Sequence, residues 1–153
     1  MSKGPVKVVA TNRKAHFNYQ IEQKLEAGIV LLGSEVKVIR GGKIEIKEAF
    51  VQFKDGEAWL LDAHIPFYPQ AGPANHHPDR PRKLLMHQRE IEKWSRHSAD
   101  KGYSIVPLRV YFHGSIIKVE IGLGKGRKNY DKRHHLKEKS AQMDIRRALN
   151  RRD

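Results

Sequence analysis

The chain has 153 residues, of which 30 are Lys or Arg and 17 are Asp or Glu, so its net charge at pH 7 is +13. This is the length of about one domain, and the absence of cysteine excludes disulfides, a thiolate nucleophile and a cysteine-based zinc site. The longest apolar run, residues 29–32, is far shorter than the ~20 residues that span a membrane, and the N-terminus lacks the apolar segment of a secretory signal. We therefore predict a cytoplasmic domain that has no membrane partner and binds an anion.

The excess charge is concentrated at the C-terminal end. Residues 1–123 contain 19 basic and 13 acidic side chains, whereas residues 124–153 contain 11 basic and 4 acidic ones. The second segment has only four large apolar residues besides Tyr130, and their burial cannot offset an ordering cost of roughly 1–2 kcal/mol per residue. The composition predicts a folded body over residues 1–123 and a basic tail over residues 124–153 that is disordered when free.

The first half of the body combines strand and helix signals. Asn12 can cap a helix by accepting a backbone N–H bond, and Ser34 is typical of a second helix start, which Gly41 would end. The dipeptide Asp55-Gly56 favours a hairpin turn, because glycine readily adopts a positive φ. The predicted elements are a strand at residues 6–10, a helix at 13–19, a strand at 20–32, a helix after Ser34 and a β-hairpin at 49–65.

The second half begins with a predicted loop at residues 66–82, which contain five of the seven prolines. Helical signals follow over residues 82–100, where apolar residues mark one buried side. Clean alternation of apolar and polar side chains then predicts strands at residues 104–113 and 116–123. Five or six strands with three short helices predict a mainly β (α+β) fold, in the form of a small antiparallel β-barrel.

Glycine alternates with other residues at positions 122, 124 and 126, just before the basic tail. A nucleotide-binding loop would be followed by an apolar helix, whereas a basic segment follows here. We therefore predict that these glycines form a flexible exit from the barrel.

Nine histidines make a metal site or histidine catalysis the first enzymatic hypothesis. Neighbouring histidines at 76–77 and 134–135 point in different directions, so neither pair chelates one ion easily, and the sequence has no H-E-x-x-H or H-x-E…C-x-x-C pattern. We predict no catalytic residue, no metal and no cofactor, and interpret the histidines as solvated or RNA-facing loop residues. A histidine-dependent nuclease or RNA-modifying enzyme stays open as an alternative.

A nucleic-acid partner accounts better for the charge. Small barrels bind oligonucleotides on one face, and a net charge of +13 supplies the electrostatic attraction. The absence of a helix-turn-helix or zinc-finger pattern favours recognition of RNA shape over readout of DNA bases. Composition alone leaves a general structured-RNA or ribosome-associated basic protein as an equal alternative.

Ordered motifs along nearly the whole chain narrow this choice. They are Asn12-Arg13-Lys14-Ala15, Glu26-Ala27-Gly28-Ile29, Leu32-Gly33-Ser34-Glu35-Val36-Lys37, Asp55-Gly56-Glu57-Ala58, Arg80-Pro81-Arg82-Lys83-Leu84-Leu85-Met86-His87-Gln88-Arg89-Glu90, Lys118-Val119-Glu120-Ile121-Gly122, Gly124-Lys125-Gly126-Arg127-Lys128 and Asp131-Lys132-Arg133. In these motifs the chain resembles the small protein B family, the SsrA-binding proteins of bacteria.

The resemblance implies an OB-type β-barrel with three helices that binds the tRNA-like domain of transfer-messenger RNA (tmRNA, or SsrA RNA). It implies a role in trans-translation, in which alanyl-tmRNA with elongation factor Tu is delivered to ribosomes stalled on messages without a stop codon. The second partner would be the small ribosomal subunit and its 16S rRNA. The family is not enzymatic, and we expect a monomer in a 1:1 complex with tmRNA.

The resemblance also implies two sets of contact residues. The tmRNA set is Glu26, Leu85 and Lys118, with Asn12, Arg13, Lys14, Lys37 and Lys83 as neighbours. The set for the ribosomal decoding site is Lys125, Arg127, Lys128, Tyr130, Asp131, Lys132 and Arg133. Residues 137–152 consist mostly of good helix formers, so we predict that they become helical in the messenger channel of the ribosome, with Ile145 on their apolar side.

Overall fold

The computed structural model describes residues 6–127 and, beyond them, Met143. None of the helices within these residues is long and apolar enough to cross a membrane. The elements in chain order are β1 (Val6–Thr11), α1 (Arg13–Asn18), β2 (Tyr19–Ile29), α2 (Gly33–Arg40), β3 (Phe50–Lys54), β4 (Glu57–Leu61), a 3₁₀ turn (Pro69–Ala74), β5 (Arg82–Leu85), α3 (Gln88–Ser98), β6 (Tyr103–His113) and β7 (Ile116–Gly126).

Within residues 6–127, seven strands form one antiparallel sheet in the order β1-β6-β7-β2-β5-β4-β3. The sheet is curved, so that β3, at one edge, approaches β6. In this part of the chain no ladder joins β3 to β1, the strand at the other edge. A depression of about 560 Å³ lies between β3 and the first half of β6. The predicted mainly β, antiparallel fold with short helices is confirmed, whereas the described sheet is an open, curved one and not a closed barrel.

The core follows from the alternation of side chains along the strands. Val119 and Ile121 on β7 are buried, as are Leu60 on β4 and Leu84 on β5, while the residues between them face outwards. Trp94 from α3 is also buried in this cluster. The tight turn between β3 and β4 has Asp55 and Gly56 at positive φ, as the sequence predicts.

The largest departure from the predicted elements is at residues 82–100. Residues Arg82–Leu85 form strand β5 between β2 and β4, and the helix begins only at Gln88. Buried Arg82 and Leu84 alternate with more exposed Lys83 and Leu85, which is the two-residue period of a strand. Because this strand has only four residues and α3 follows it closely, the sequence signals of strand and helix merge and predict one longer helix.

Smaller differences concern the ends of elements. Ser34 is not the cap of α2; instead, the Glu35 carboxylate accepts the backbone N–H of Leu32 over 2.8 Å. Strand β2 ends at Ile29, short of the predicted residue 32. The last strand continues to Gly126, so the predicted boundary between residues 123 and 124 falls inside β7.

Glycine at positions 122 and 124 allows side chains of neighbouring elements to lie across β7. A Cβ atom on Gly122 would be 2.8 Å from Cδ1 of buried Leu108, and one on Gly124 would be 2.7 Å from Cβ of Tyr19. Both glycines belong to the ladders that join β7 to β2 and β6. The prediction of a flexible exit is therefore wrong, because these positions require glycine for close packing.

We expect Gly124→Ala to lower the free energy of unfolding by about 1–3 kcal/mol, the usual cost of overpacking. Gly126→Ala is the matched control, since its Cβ would meet nothing closer than 3.6 Å and its φ is not positive. Thermal or urea unfolding of the two variants measures the difference. Equal stability of both would show that Tyr19 does not constrain β7.

Candidate RNA interface

Four of the residues in the predicted tmRNA set lie around one depression on the outer face of the sheet. This depression has a volume of about 860 Å³ and is bounded by β5, the β3–β4 turn and the start of α3. We call it the β5 cleft. The predicted residues that line it are Glu26, Lys83, Leu85 and Lys118.

The register of three strands places Leu85 and Lys118 on either side of one glycine. Gly28 of β2 pairs with Leu85 of β5 on one side and with Lys118 of β7 on the other. A Cβ on Gly28 would lie 3.1 Å from Cβ of Leu85, so the Leu85 side chain lies over the glycine. Leu85 is nevertheless 54% exposed. The cleft therefore offers an apolar platform for an unstacked base beside an ammonium group suited to a phosphate.

Glu26 lies at the edge of the cleft, beside two residues of β6. The Tyr111 hydroxyl donates a hydrogen bond to Oε2 of Glu26, and Nδ1 of His113 lies 3.8 Å from the same oxygen. Burial of Tyr111, together with the hydrogen bond to Glu26 and its negative charge, raises the pKa of Tyr111 well above its usual value. The hydroxyl thus remains a donor at neutral pH and fixes a carboxylate that can accept hydrogen bonds from base amino groups.

The remaining side chains of the cleft make its charge mixed. Nζ of Lys83 lies 3.0 Å from Oε1 of Glu57, and Asp55 and Glu90 also line the depression. A surface that only attracted phosphates would be uniformly basic. The combination of carboxylates, lysines and an exposed leucine is better suited to contacts with bases and riboses as well as phosphates.

The other predicted tmRNA residues lie elsewhere. Lys14 lines the depression between β3 and β6 and pairs with Glu48. Asn12 is buried; its amide donates to the carbonyls of Ile46 (3.1 Å) and Pro107 (2.9 Å), and its carbonyl accepts the N–H of Ala15. Asn12 therefore caps α1 and joins it to the body, and its side chain is engaged within the protein and not presented to RNA. Exposed Arg13 and Lys37 lie on α1 and α2 and do not line the β5 cleft.

The predicted ribosome contacts are described only at their beginning. Lys125 is exposed near the end of β7, and the backbone N–H of Arg127 donates to the carbonyl of Asn18 over 2.8 Å. This bond fixes the start of the tail against the end of α1. Outside the described residues lie Lys128, Tyr130, Asp131, Lys132, Arg133 and Ile145.

A buried ion cluster at the start of β5 was not predicted from the sequence. Arg82 and Glu35 are both fully buried, and Nε of Arg82 donates to Oε2 of Glu35 over 2.8 Å, while Arg80 binds the same carboxylate from the surface. Burial alone would raise the pKa of Glu35, but hydrogen bonds from Arg80, the Leu32 N–H and Arg82 outweigh it and lower that pKa. The cluster joins α2 to β5 and so holds one wall of the cleft.

The histidines give no sign of a metal site in the described part of the chain, where no group of three or more His, Cys, Asp or Glu side chains could hold an ion. His76 is buried and not solvated, contrary to the prediction for the loop histidines. Its Nδ1 lies 2.8 Å from the Ser34 hydroxyl, and its Nε2 lies 2.9 Å from the carbonyls of Ile65 and Pro66. These bonds fasten the proline-rich loop to α2.

Known proteins share the sequence pattern of this chain over nearly its whole length. A family model described as "SmpB protein" matches residues 9–151. An SsrA-binding protein of Shouchella clausii (strain KSM-K16) is 51% identical over 146 residues, which cover 95% of this chain and 94% of that protein. An SsrA-binding protein of Bacillus cereus (strain AH820) is 48% identical over 149 residues, which cover 97% and 96%.

The fold agrees with the sequence comparison. A chain in the solved structure reported as "tmRNA-SmpB: a journey to the center of the bacterial ribosome" is 37% identical and superposes with a TM-score of 0.67, covering 87% of this chain and 95% of that one. The resemblance noted in the sequence motifs is thus confirmed over nearly the whole length. The chain belongs to the SmpB family of SsrA-binding proteins.

Proposed function

We propose that this chain binds the tRNA-like domain of tmRNA through the β5 cleft and delivers tmRNA to stalled ribosomes for trans-translation in the cytoplasm. The observation that carries the proposal is the convergence of Glu26, Leu85 and Lys118, three positions far apart in the sequence, around one depression. Membership of a family of SsrA-binding proteins supports the identity of the RNA. The chain acts by binding, without catalysis, and its OB-type body presents the cleft.

The chemistry of the cleft assigns a separate task to each residue. Lys118 neutralises a phosphate, Leu85 packs against an unstacked base, and Glu26 accepts hydrogen bonds from a base amino group. Only the first contact releases counterions, so among these three residues only Lys118 contributes to the salt dependence of binding. The other two supply preference for an RNA that exposes bases at the right places.

Substitution of these residues tests the proposal. We expect Glu26→Ala and Lys118→Ala each to weaken tmRNA binding by about 1–3 kcal/mol. For Lys118→Ala the slope of log K against log salt should fall by about one, and for Glu26→Ala it should stay unchanged. The Lys118 side chain is not buried, so the melting temperature of Lys118→Ala should change little. Glu26→Ala also removes the acceptor of the buried Tyr111 hydroxyl, so its melting temperature should fall, and binding is measured at a temperature at which both variants are folded.

Matched controls for both substitutions lie on β2, the strand of Glu26. Glu22 is an exposed carboxylate of β2 that also accepts a tyrosine hydroxyl, and Lys24 is an exposed lysine; neither lines the cleft. Glu22→Ala and Lys24→Ala should leave the preference for tmRNA unchanged. Unchanged tmRNA affinity in both Glu26→Ala and Lys118→Ala would contradict the proposed surface.

A second part of the proposal concerns the tail. We propose that Lys125–Arg133, named by resemblance alone, contact the decoding site of the small subunit, and that residues 137–152 follow the messenger channel. Two observations support this division of labour: the tail leaves the body beside α1, away from the cleft, and residues 124–153 carry 11 basic against 4 acidic side chains. A polycation of this kind suits a path lined by rRNA phosphates.

A further inference from the structure

A chain of interacting side chains crosses the outer face of the sheet from β7 through β6 to β2. An Nη atom of Arg109 donates to Oε2 of Glu120 over 3.3 Å, and its guanidinium carbon lies 4.8 Å from the centre of the Tyr111 ring. The Tyr111 hydroxyl then donates to Glu26. The series therefore ends on the carboxylate at the edge of the β5 cleft.

Tyr111 is unusual for an outward-facing position on a strand. It pairs with Lys118 and Val8 on the two neighbouring strands, yet it is only 3% exposed. The Arg109 guanidinium lies over its ring, and its hydroxyl is engaged by the Glu26 carboxylate. A rigid donor of this kind fixes the acceptor that it binds, because buried hydroxyl groups require a partner.

Glu26 needs such a partner because its surroundings are unfavourable to a fixed carboxylate. It lies directly opposite Glu120 in the β2–β7 ladder, and like charges at paired positions repel each other. Arg109 neutralises Glu120 on the far side, and the hydrogen bond from Tyr111 draws Glu26 toward β6. The hydrogen bond from Tyr111 therefore favours one orientation of a side chain that is 37% exposed.

We propose that Tyr111 is a positioning residue for RNA recognition, whose hydroxyl holds the Glu26 carboxylate in the orientation that accepts hydrogen bonds from unpaired bases. This inference rests on the proposed function of the β5 cleft and deepens it. It assigns to Tyr111 a part of the selectivity for tmRNA without any contact with the RNA. The conformational entropy of the Glu26 side chain is then lost when the protein folds and not when it binds RNA, which increases the affinity for tmRNA.

A double-mutant cycle tests the inference on the full-length protein. Tyr111→Phe removes only the hydroxyl and keeps the ring under Arg109. We expect it to weaken tmRNA binding about three- to tenfold, the usual value of one such hydrogen bond, while tRNA binding and the salt slope stay unchanged. In a Glu26→Ala background the same substitution should have no further effect, because its action passes through Glu26.

The chain contains a matched control for this cycle. Tyr103, on the same strand, donates its hydroxyl to Glu22 over 3.1 Å at the opposite end of the β2–β6 region, outside the cleft. Tyr103→Phe should leave tmRNA affinity unchanged. Melting temperatures are measured for every variant, so that a loss of folded protein is separated from a loss of recognition.

The measurements test the positioning role of Tyr111 separately from the proposed RNA surface. If Tyr111→Phe leaves tmRNA affinity unchanged, or weakens it equally in the presence and absence of Glu26, the positioning role is wrong. An equal loss in both backgrounds would indicate a purely structural effect of the hydroxyl, whatever the change in melting temperature. If Glu26→Ala itself leaves tmRNA affinity unchanged, the proposed RNA surface fails, which is a separate result.

Discussion

Glu35→Gln is expected to lower the free energy of unfolding by about 3–5 kcal/mol, because it removes one partner of a fully buried ion pair and leaves the Arg82 charge uncompensated. Arg82 keeps its bonds to the carbonyls of Ala63 (2.6 Å) and Pro78 (3.0 Å), but neutral acceptors do not replace a carboxylate. Chemical denaturation of the purified protein measures the loss.

The matched control is Glu57→Gln at the rim of the cleft. Glu57 pairs with Lys83 at 3.0 Å, and both side chains are about 40% exposed, so this pair is expected to contribute at most about 1 kcal/mol. A small loss in Glu35→Gln, comparable to the control, would mean that water reaches the cluster and that it does not hold α2 against β5.

The Glu35 carboxyl group also makes the stability of the fold depend on pH. The pKa of Glu35 is lower in the folded protein than its ordinary value of 4.5. Its contribution is therefore fully present above the unfolded pKa and is lost as the pH falls through the folded pKa. Below about pH 4.5 the wild-type protein should lose stability more steeply with acid than Glu35→Gln does, whereas above pH 5 the two curves should run parallel.

Deleting residues 128–153 is expected to abolish tagging of nascent chains on stalled ribosomes while leaving selective tmRNA binding. The deletion begins after Arg127 because β7 continues to Gly126 and Arg127 still bonds to Asn18. The body should melt as the full chain does. Removal of 9 basic and 4 acidic side chains will weaken attraction to every RNA alike, so tmRNA and tRNA are compared at the same stated salt.

A single substitution in the full-length chain tests whether tagging depends on a particular side chain of the tail and not only on the presence of the tail. Tyr130 stands within the basic run, where an aromatic ring can stack on an rRNA base, an interaction worth about 1–3 kcal/mol. Tyr130→Ala should reduce tagging and leave tmRNA affinity as it is. Normal tagging by the truncated protein, or a loss of tmRNA selectivity as large as that of Glu26→Ala, would contradict separate roles for body and tail.

The elements that were predicted correctly are those whose signals come from residues close together along the chain. The Asp55-Gly56 turn and the alternation in β6 and β7 are local signals, and the structure has these elements where they were expected. Strand β5 was missed because Arg82 and its neighbours favour a helix by intrinsic propensity. Their conformation is decided instead by pairing with β2 and by a carboxylate 47 residues away.

The candidate site likewise combines features with local sequence signals and features that depend on contacts between distant residues. The motif resemblance singled out Glu26, Leu85 and Lys118, and only the register of β5, β2 and β7 brings them around Gly28. Alternation predicted the strand that carries Tyr111, but the burial of Tyr111 and its bond to Glu26 depend on three strands at once. The role of Gly124 was misassigned because the residue that occupies its missing side chain, Tyr19, is far away in sequence.

The affinity of the wild-type protein for tmRNA, compared with that for tRNA in the same gel-shift competition at one stated salt concentration, tests the central claim most directly. A net +13 protein attracts the phosphates of every RNA, so an unrelated structured RNA of the same length as tmRNA measures this common attraction, and the excess affinity for tmRNA measures specific recognition. We expect clearly tighter binding of tmRNA, with the difference reduced by Glu26→Ala. Equal affinity for tmRNA, tRNA and unrelated structured RNA of the same length would contradict it and identify a general RNA-binding protein.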